Sequence, residues 1–181
     1  MDIRITPVPE TDRKPKPADD KLGFGAYFTD HMVQMDYEEG KGWFDPRIVP
    51  YADLRLDPAA MVLHYNQEVF EGLKAYALPN GGLGLFRPEK NIARMNNSAR
   101  RMRMPEVDPD LVLTAMKRFV RLEQRWVPTS AGTSLYLRPT MIANEPALGV
   151  RPSKKYLFYV IASPVGAYYP GGFHPTKIFV G

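Results

Sequence analysis

The sequence predicts a single sheet-based domain in which strands and helices interleave, and three observations carry that prediction. Two stretches in the first half read as β-hairpins, two apolar stripes in the middle recur at helical spacing, and two late runs rich in β-branched and aromatic residues are bounded by loops. With 181 residues, 44% of them apolar, the chain can bury one substantial core.

Residues 1–20 mix prolines with charges and show no periodicity, so an extended, flexible arm of low order is expected there. The domain itself is predicted over residues 21–165. Between residues 24 and 51, runs containing Tyr27, Phe28, Tyr37, Trp43 and Phe44 are split by a turn-forming cluster at residues 38–42, which gives two strands and a hairpin. A second hairpin follows at residues 73–78 and 83–87, around the turn residues Pro79, Asn80, Gly81 and Gly82. Pro88 suits a first helical position, and Ile92, Met95, Ala99 and Met102 recur behind it until Pro105 stops the helix. Asp108 and Pro109 start another helix, whose stripe of Leu111, Val112, Ala115, Phe119 and Leu122 runs towards Trp126 and ends at Pro128. SLYLRPTMIA and KKYLFYVIASP then read as buried strands. After the loop residues 166–175, KIFVG looks like a strand cut short, so the chain is expected to continue beyond it.

Composition narrows the chemistry. There is no cysteine, which excludes disulfides, thiolate catalysis and cysteine-ligated metal centres. The three histidines stand far apart at 31, 64 and 174, so no metal-binding constellation can be written, and neither His31 nor His64 is given a catalytic role. No apolar run is long enough to span a membrane, and the first residues lack the apolar segment of a secretory signal. A cytoplasmic location is therefore expected. The net charge of +4 suits small anionic ligands as well as nucleic acid.

The most suggestive side chains are Arg94 and Arg138, because each lies within an otherwise apolar pattern where a guanidinium needs an anion. That anion can be an acidic neighbour, which is the plainer reading, or a phosphate or carboxylate ligand matching the planar fork of donors. Glu71 and Lys74 are spaced to form a surface ion pair. Arg100, Arg101 and Arg103 make a basic helix end that could track a nucleic-acid backbone, but no recognition motif accompanies them, and no nucleic-acid partner is expected. GGLG at residues 81–84 superficially resembles a phosphate loop, yet it lies in a hairpin turn rather than between a strand and a helix.

Five strings occur in order: FGAYFTDHMVQMDY, LHYNQEVFEGLKAY, LFRPEKNIARMNNSARRM, GTSLYLRPTMIANEPALGV and PVGAYYPGG. Together they resemble the amino-terminal half of branched-chain amino-acid aminotransferases, which are fold-type IV pyridoxal-phosphate enzymes, over almost the whole chain after the arm. FEGLKAY alone would indicate only the broader superfamily; SLYLRP with ANEP and GAYYPGG narrows it.

The resemblance implies an α+β small domain, mostly antiparallel sheet with flanking helices, ending near Val165. Residues 166–181 would form the interdomain connection and the start of a cofactor domain. It implies pyridoxal 5'-phosphate as cofactor, with Arg94, in the pattern FRPxxNxxR, holding the phosphate in place of the salt-bridge reading. Phe28, Phe70, Tyr136 and Tyr168 match the aromatic wall around a leucine, isoleucine or valine side chain. Arg138 matches the residue that receives the distal carboxylate of glutamate, the partner of 2-oxoglutarate in the exchange. Tyr65, Leu148 and Val150 match residues that cross over between subunits, which implies a homodimer. The cofactor-binding lysine of the family follows PGG within a K-x-x-G-N-Y type motif that does not occur before Gly181, and Lys177 stands in the wrong context. No catalytic residue is therefore assigned, and the chain is expected to be an amino-terminal half that is inactive alone. The alternative is a non-catalytic, dimerising or ligand-binding small domain of the same fold.

Overall fold

The computed structural model describes residues 1–166, 175 and 177–179. Its centre is the pair of long strands that the late β-rich runs predict, β7 (Ser134–Ala143) and β8 (Lys155–Val165), joined in antiparallel register from Ser134↔Val165 to Ala143↔Tyr156. Before them come β1 (Arg4–Ile5), β2 (His31–Glu38), β3 (Gly42–Pro50), α1 (Met61–Tyr65), β4 (Glu68–Phe70), β5 (Leu73–Ala77), β6 (Leu83–Leu85), α2 (Pro88–Arg101) and α3 (Pro109–Leu122). The sheet runs β1-β3-β2-β8-β7-β5-β6, with β4 also paired to β7. Every pairing is antiparallel except β1 with β3, so the α+β expectation holds.

Both predicted hairpins form, but the first begins later than the sequence suggests. Residues 24–30 lie outside β2, and Gly23 and Gly25 take positive φ values that break an extended chain. Both helices start as their sequences dictate, with proline in the first turn. The Asp108 carboxylate accepts hydrogen bonds from the amides of Asp110 and Leu111 at 2.9 and 3.1 Å, satisfying donors that the helix leaves open. The helices bury Ile92, Met95 and Ala99 from α2 and Val112, Ala115 and Phe119 from α3 in one cluster with Val33, Ile48, Leu135, Leu137 and Phe158. Met102, the last member of the predicted α2 stripe, falls just past the helix and is exposed. Residues 177–179, expected within a strand, have no regular structure. Among the described residues no helix is long and apolar enough to cross a membrane.

The arm departs most from expectation. Ile3 is buried, and Ile5 pairs with Ile48 in the β1–β3 ladder. The Val8 amide donates to Nε2 of His31 at 2.8 Å, and the Lys14 amide donates to the Asp30 carboxylate at 2.8 Å. Arg125 donates to both Asp30 and the Lys14 carbonyl, while Asp19 accepts from the amides of Thr129 and Ser130. A segment that looks like a solvated linker is thus fixed through its backbone and the Asp19 carboxylate, by partners that lie up to 111 residues away in sequence. His31 belongs to this anchorage: because Nε2 accepts, its Nδ1 carries the proton that faces the buried Glu123 carboxylate.

Candidate functional site

Strand alternation builds the site. On β7, Leu135 and Leu137 turn into the core, so Tyr136 and Arg138 share the opposite face and are half-buried. The Arg138 guanidinium donates to the Tyr136 hydroxyl through Nε at 3.1 Å and Nη2 at 3.0 Å. It also lies 4.5 Å from the centroid of the Phe70 ring. Phe70 comes from β4, whose register with β7 places it opposite Thr140. Among the described residues Arg138 makes no salt bridge, so a cation held between aromatic groups has no protein carboxylate to neutralise it.

Tyr136 and Arg138 border a cleft of about 200 Å³ lined also by Phe24, Gly25, Phe28 and the β8 segment 161–163, whereas Phe70 reaches Arg138 from outside that lining and is largely exposed. Its outer wall is the segment that precedes β2. That segment is tied to β8 by the Thr29 amide on the Ala162 carbonyl and by the Gly166 amide on the Gly23 carbonyl, both at 3.0 Å. The Phe24 ring meets Tyr136 at 5.2 Å between centroids, and Phe28 stacks on Tyr51 at 5.3 Å. The cleft therefore offers an apolar, aromatic surface beside a guanidinium that no carboxylate among the described residues neutralises. It can take an aliphatic group on one side and a carboxylate on the other.

Close packing here requires Gly72. A Cβ at that position would stand 2.2 Å from the Tyr136 hydroxyl oxygen, far inside contact distance. The residue before Gly72 serves a second cation. Glu71 is buried and takes Arg94 of α2 in a two-point pair, Nε to Oε1 at 2.6 Å and Nη2 to Oε2 at 2.7 Å. Asn91, one turn earlier on α2, donates to Glu71 Oε2 at 3.0 Å and to the Gly72 carbonyl at 3.2 Å. Burial would raise the Glu71 carboxyl, but the hydrogen bonds from Arg94 and Asn91 hold it below the ordinary carboxylate range. Glu71 thus pairs with Arg94 and not with Lys74. The Arg94 side chain is 67% exposed, and among the described residues no acceptor sits on its Nη1, which leaves that side of the fork for an external oxyanion.

The remaining expected site residues lie apart from the cleft lining. Tyr65, at the end of α1, accepts the Gly149 amide at 2.7 Å and so anchors the loop that carries Leu148 and Val150, both strongly exposed. Tyr168 lies outside the described residues. A larger open cleft of about 620 Å³ runs between the β5–β6 turn, the start of α2 and α3, and none of the expected site residues lines it. Sequence reading missed Phe24, Gly72, Glu71 and Asn91. Of these, Asn91 left a signal, since it stands three residues before Arg94 and so on the same helix face.

The fold is the α+β domain found in solved branched-chain amino acid aminotransferases of fold type IV. The T.th. branched-chain amino acid aminotransferase with pyridoxamine 5'-phosphate superposes with a TM-score of 0.55 at 28% identity, over 75% of this chain and 41% of that one. The same protein complexed with N-(5'-phosphopyridoxyl)-L-glutamate gives 0.51 at 26% identity, over 74% of this chain and 41% of that one. The Escherichia coli branched-chain aminotransferase shares the fold, with a TM-score of 0.52 over 74% of this chain and 41% of that one, at 24% identity. No family model matches the chain. Among curated proteins, branched-chain-amino-acid transaminase 1 of Bacillus subtilis is 55% identical over 92% of this chain and 47% of its own length. A probable branched-chain-amino-acid aminotransferase of Streptomyces coelicolor is 58% identical over 87% of this chain and 44% of its own length. The chain is therefore a homologue of the branched-chain amino-acid aminotransferases, and it spans about half the length of the curated relatives it matches.

Proposed function

We propose that this chain is the amino-terminal, substrate-recognising half of a branched-chain aminotransferase that moves the amino group of leucine, isoleucine or valine to 2-oxoglutarate with pyridoxal 5'-phosphate. The observation that carries this reading is the Arg138 guanidinium, without a carboxylate partner among the described residues, set between Tyr136 and Phe70 on an aromatic cleft. Apolar burial is the only energy that distinguishes a leucine side chain, whereas glutamate brings a second carboxylate. One cleft with both surfaces suits both partners of the exchange.

Arg94 fits the cofactor's phosphate, because its Nη1 side keeps donors while Glu71 holds the other edge. Bound there, pyridoxal phosphate supplies the carbonyl and the electron-withdrawing ring on which amino transfer depends. The residues of this chain bind and orient: Arg94 takes the phosphate, Arg138 the distal carboxylate, and Phe24, Phe28, Phe70 and Tyr136 exclude water from the side chain. No proton transfer is assigned to any of them. Tyr168 belongs to the same wall on the strength of the family pattern. Tyr65, Leu148 and Val150 are assigned to a homodimer in which this loop completes the partner's site, a reading supported by the 92% exposure of Val150. The protein is placed in the cytoplasm.

The test is transamination by the protein purified from its source, with pyridoxal phosphate, leucine and 2-oxoglutarate. Stoichiometric glutamate formation, reduced in Arg94→Ala through weakened cofactor binding, is the expected result. A protein that binds branched-chain acids yet forms no glutamate would favour the non-catalytic binding domain.

A further inference from the structure

The Arg94–Glu71–Asn91 cluster holds more structure than a phosphate contact needs. A lone arginine on a helix surface samples many rotamers, and ordering it on binding costs affinity. Arg94 is mostly exposed, yet its guanidinium plane is fixed by two hydrogen bonds to a carboxylate that is itself only 4% exposed. That carboxylate is fixed in turn by Asn91, whose amide also grips the Gly72 carbonyl. The Glu71 amide donates to the Pro139 carbonyl at 2.9 Å, which ties the cluster to β7 beside Arg138.

We propose that Glu71, braced by Asn91, is a positioning residue that holds the Arg94 guanidinium with its Nη1 side turned out for a phosphate ester. This rests on the reading that Arg94 binds the cofactor phosphate. Electrostatics alone would predict the opposite contribution, because a carboxylate beside a phosphate dianion repels it. The sign of the effect therefore separates positioning from simple charge. The affected ligands are those that carry a phosphate, and a pyridoxal compound without one is indifferent to Glu71.

The experiment is equilibrium dialysis of the protein purified from its source against pyridoxal 5'-phosphate and against pyridoxal, in the parent, Arg94→Ala, Glu71→Gln, Asn91→Ala and the Glu71→Gln/Arg94→Ala pair. Glu71→Gln keeps the size of the buried group, and Asn91→Ala tests the same cluster should the glutamine variant fold poorly. Positioning predicts that both single variants weaken pyridoxal phosphate binding about threefold to tenfold and leave pyridoxal unchanged, and that Glu71→Gln adds nothing once Arg94 is gone. Unchanged or tighter pyridoxal phosphate binding in Glu71→Gln and Asn91→Ala overturns the proposal, as does an equal loss for pyridoxal. If Arg94→Ala itself leaves pyridoxal phosphate binding intact, the phosphate reading fails together with the proposal. A weakened Arg94→Ala beside unaffected Glu71 and Asn91 variants removes the positioning role alone.

Discussion

Replacing Gly72 by Ala sets the packing of the cleft against a single methyl group. The added Cβ would lie 2.2 Å from the Tyr136 hydroxyl oxygen, 2.9 Å from Cζ and 3.0 Å from Cε2. Restoring an ordinary contact near 3.4 Å requires a shift of about 1.2 Å (3.4 less 2.2). The ring cannot yield freely, since its hydroxyl accepts two hydrogen bonds from Arg138 and its face meets Phe24. Overpacking of this kind costs about 1–3 kcal/mol. Against it stands the gain of roughly 0.5 kcal/mol that alanine brings by restricting the unfolded chain, because Gly72 does not need a positive φ. A net loss of about 1–2 kcal/mol follows, which lowers Tm by roughly 2–8 °C in a chain of this size. Thermal unfolding of Gly72→Ala, Tyr136→Phe and the double variant reads it directly. Removing the hydroxyl relieves the shortest contact, so the double variant should recover about 1 kcal/mol relative to additivity. A Gly72→Ala protein as stable as the parent, or a strictly additive double variant, would refute the reasoning.

Three further outcomes follow from the same packing and charge. Asp30→Ala strands Arg125, the Trp126 indole and the Lys14 amide, and should cost about 3 kcal/mol in urea unfolding while exposing the arm to trypsin after Arg13 and Lys21; a loss below about 1 kcal/mol contradicts that anchorage. Phe119→Ala empties a fully buried site and should cost about 3–5 kcal/mol by the same assay, a loss under about 1 kcal/mol denying it a core role. Acid should destabilise the fold. Burial would raise the carboxyls of Asp19, Asp30 and Glu71, but hydrogen bonds outweigh it and hold them low, while the Arg151 hydrogen bond leads in taking Glu145 from 4.5 to about 2. A carboxyl depressed in the folded state stabilises above its unfolded value, and that stability drains as pH falls from about 4.5 to about 2. Glu123, pushed up by burial, contributes in the opposite sense and loses stability as pH rises above 4.5. Glu106, exposed and held low by its hydrogen bond from Arg100, adds in the same sense as the other depressed carboxyls. Urea midpoints measured from pH 7 to pH 2 should therefore fall on the acid side, and a flat profile would contradict the predominance of depressed over raised carboxyls.

Local signals made the scaffold legible. The turn residues of the two hairpins, Pro88, the Asp108 cap and the β-rich runs each encode their element over a few neighbouring positions, and all of them form. The arm was illegible because its order depends on partners such as Arg125 and Thr129, which local composition cannot reveal. Arg138 and Tyr136 could be paired from sequence, since two positions on one strand share a face. Phe24 and Gly72 could not. Their roles arise only when a loop folds over β8 and when Tyr136 crosses to the neighbouring chain segment. Arg94 shows the limit of residue type as a guide, because an acidic neighbour, Glu71, takes one edge of the guanidinium while Nη1 has no acceptor among the described residues.

Whether the aromatic cleft takes a carboxylate through Arg138, as proposed, is tested most directly by Arg138→Met. The variant keeps length and apolar character while removing the charge. Half-reactions of the protein purified from its source should be followed separately with leucine and with glutamate. The glutamate half-reaction should fall about tenfold to hundredfold in kcat/KM, the worth of a hydrogen bond to a charged group, while leucine changes by less than about threefold. An equal loss with both amino acids, or none with glutamate, would contradict that proposal.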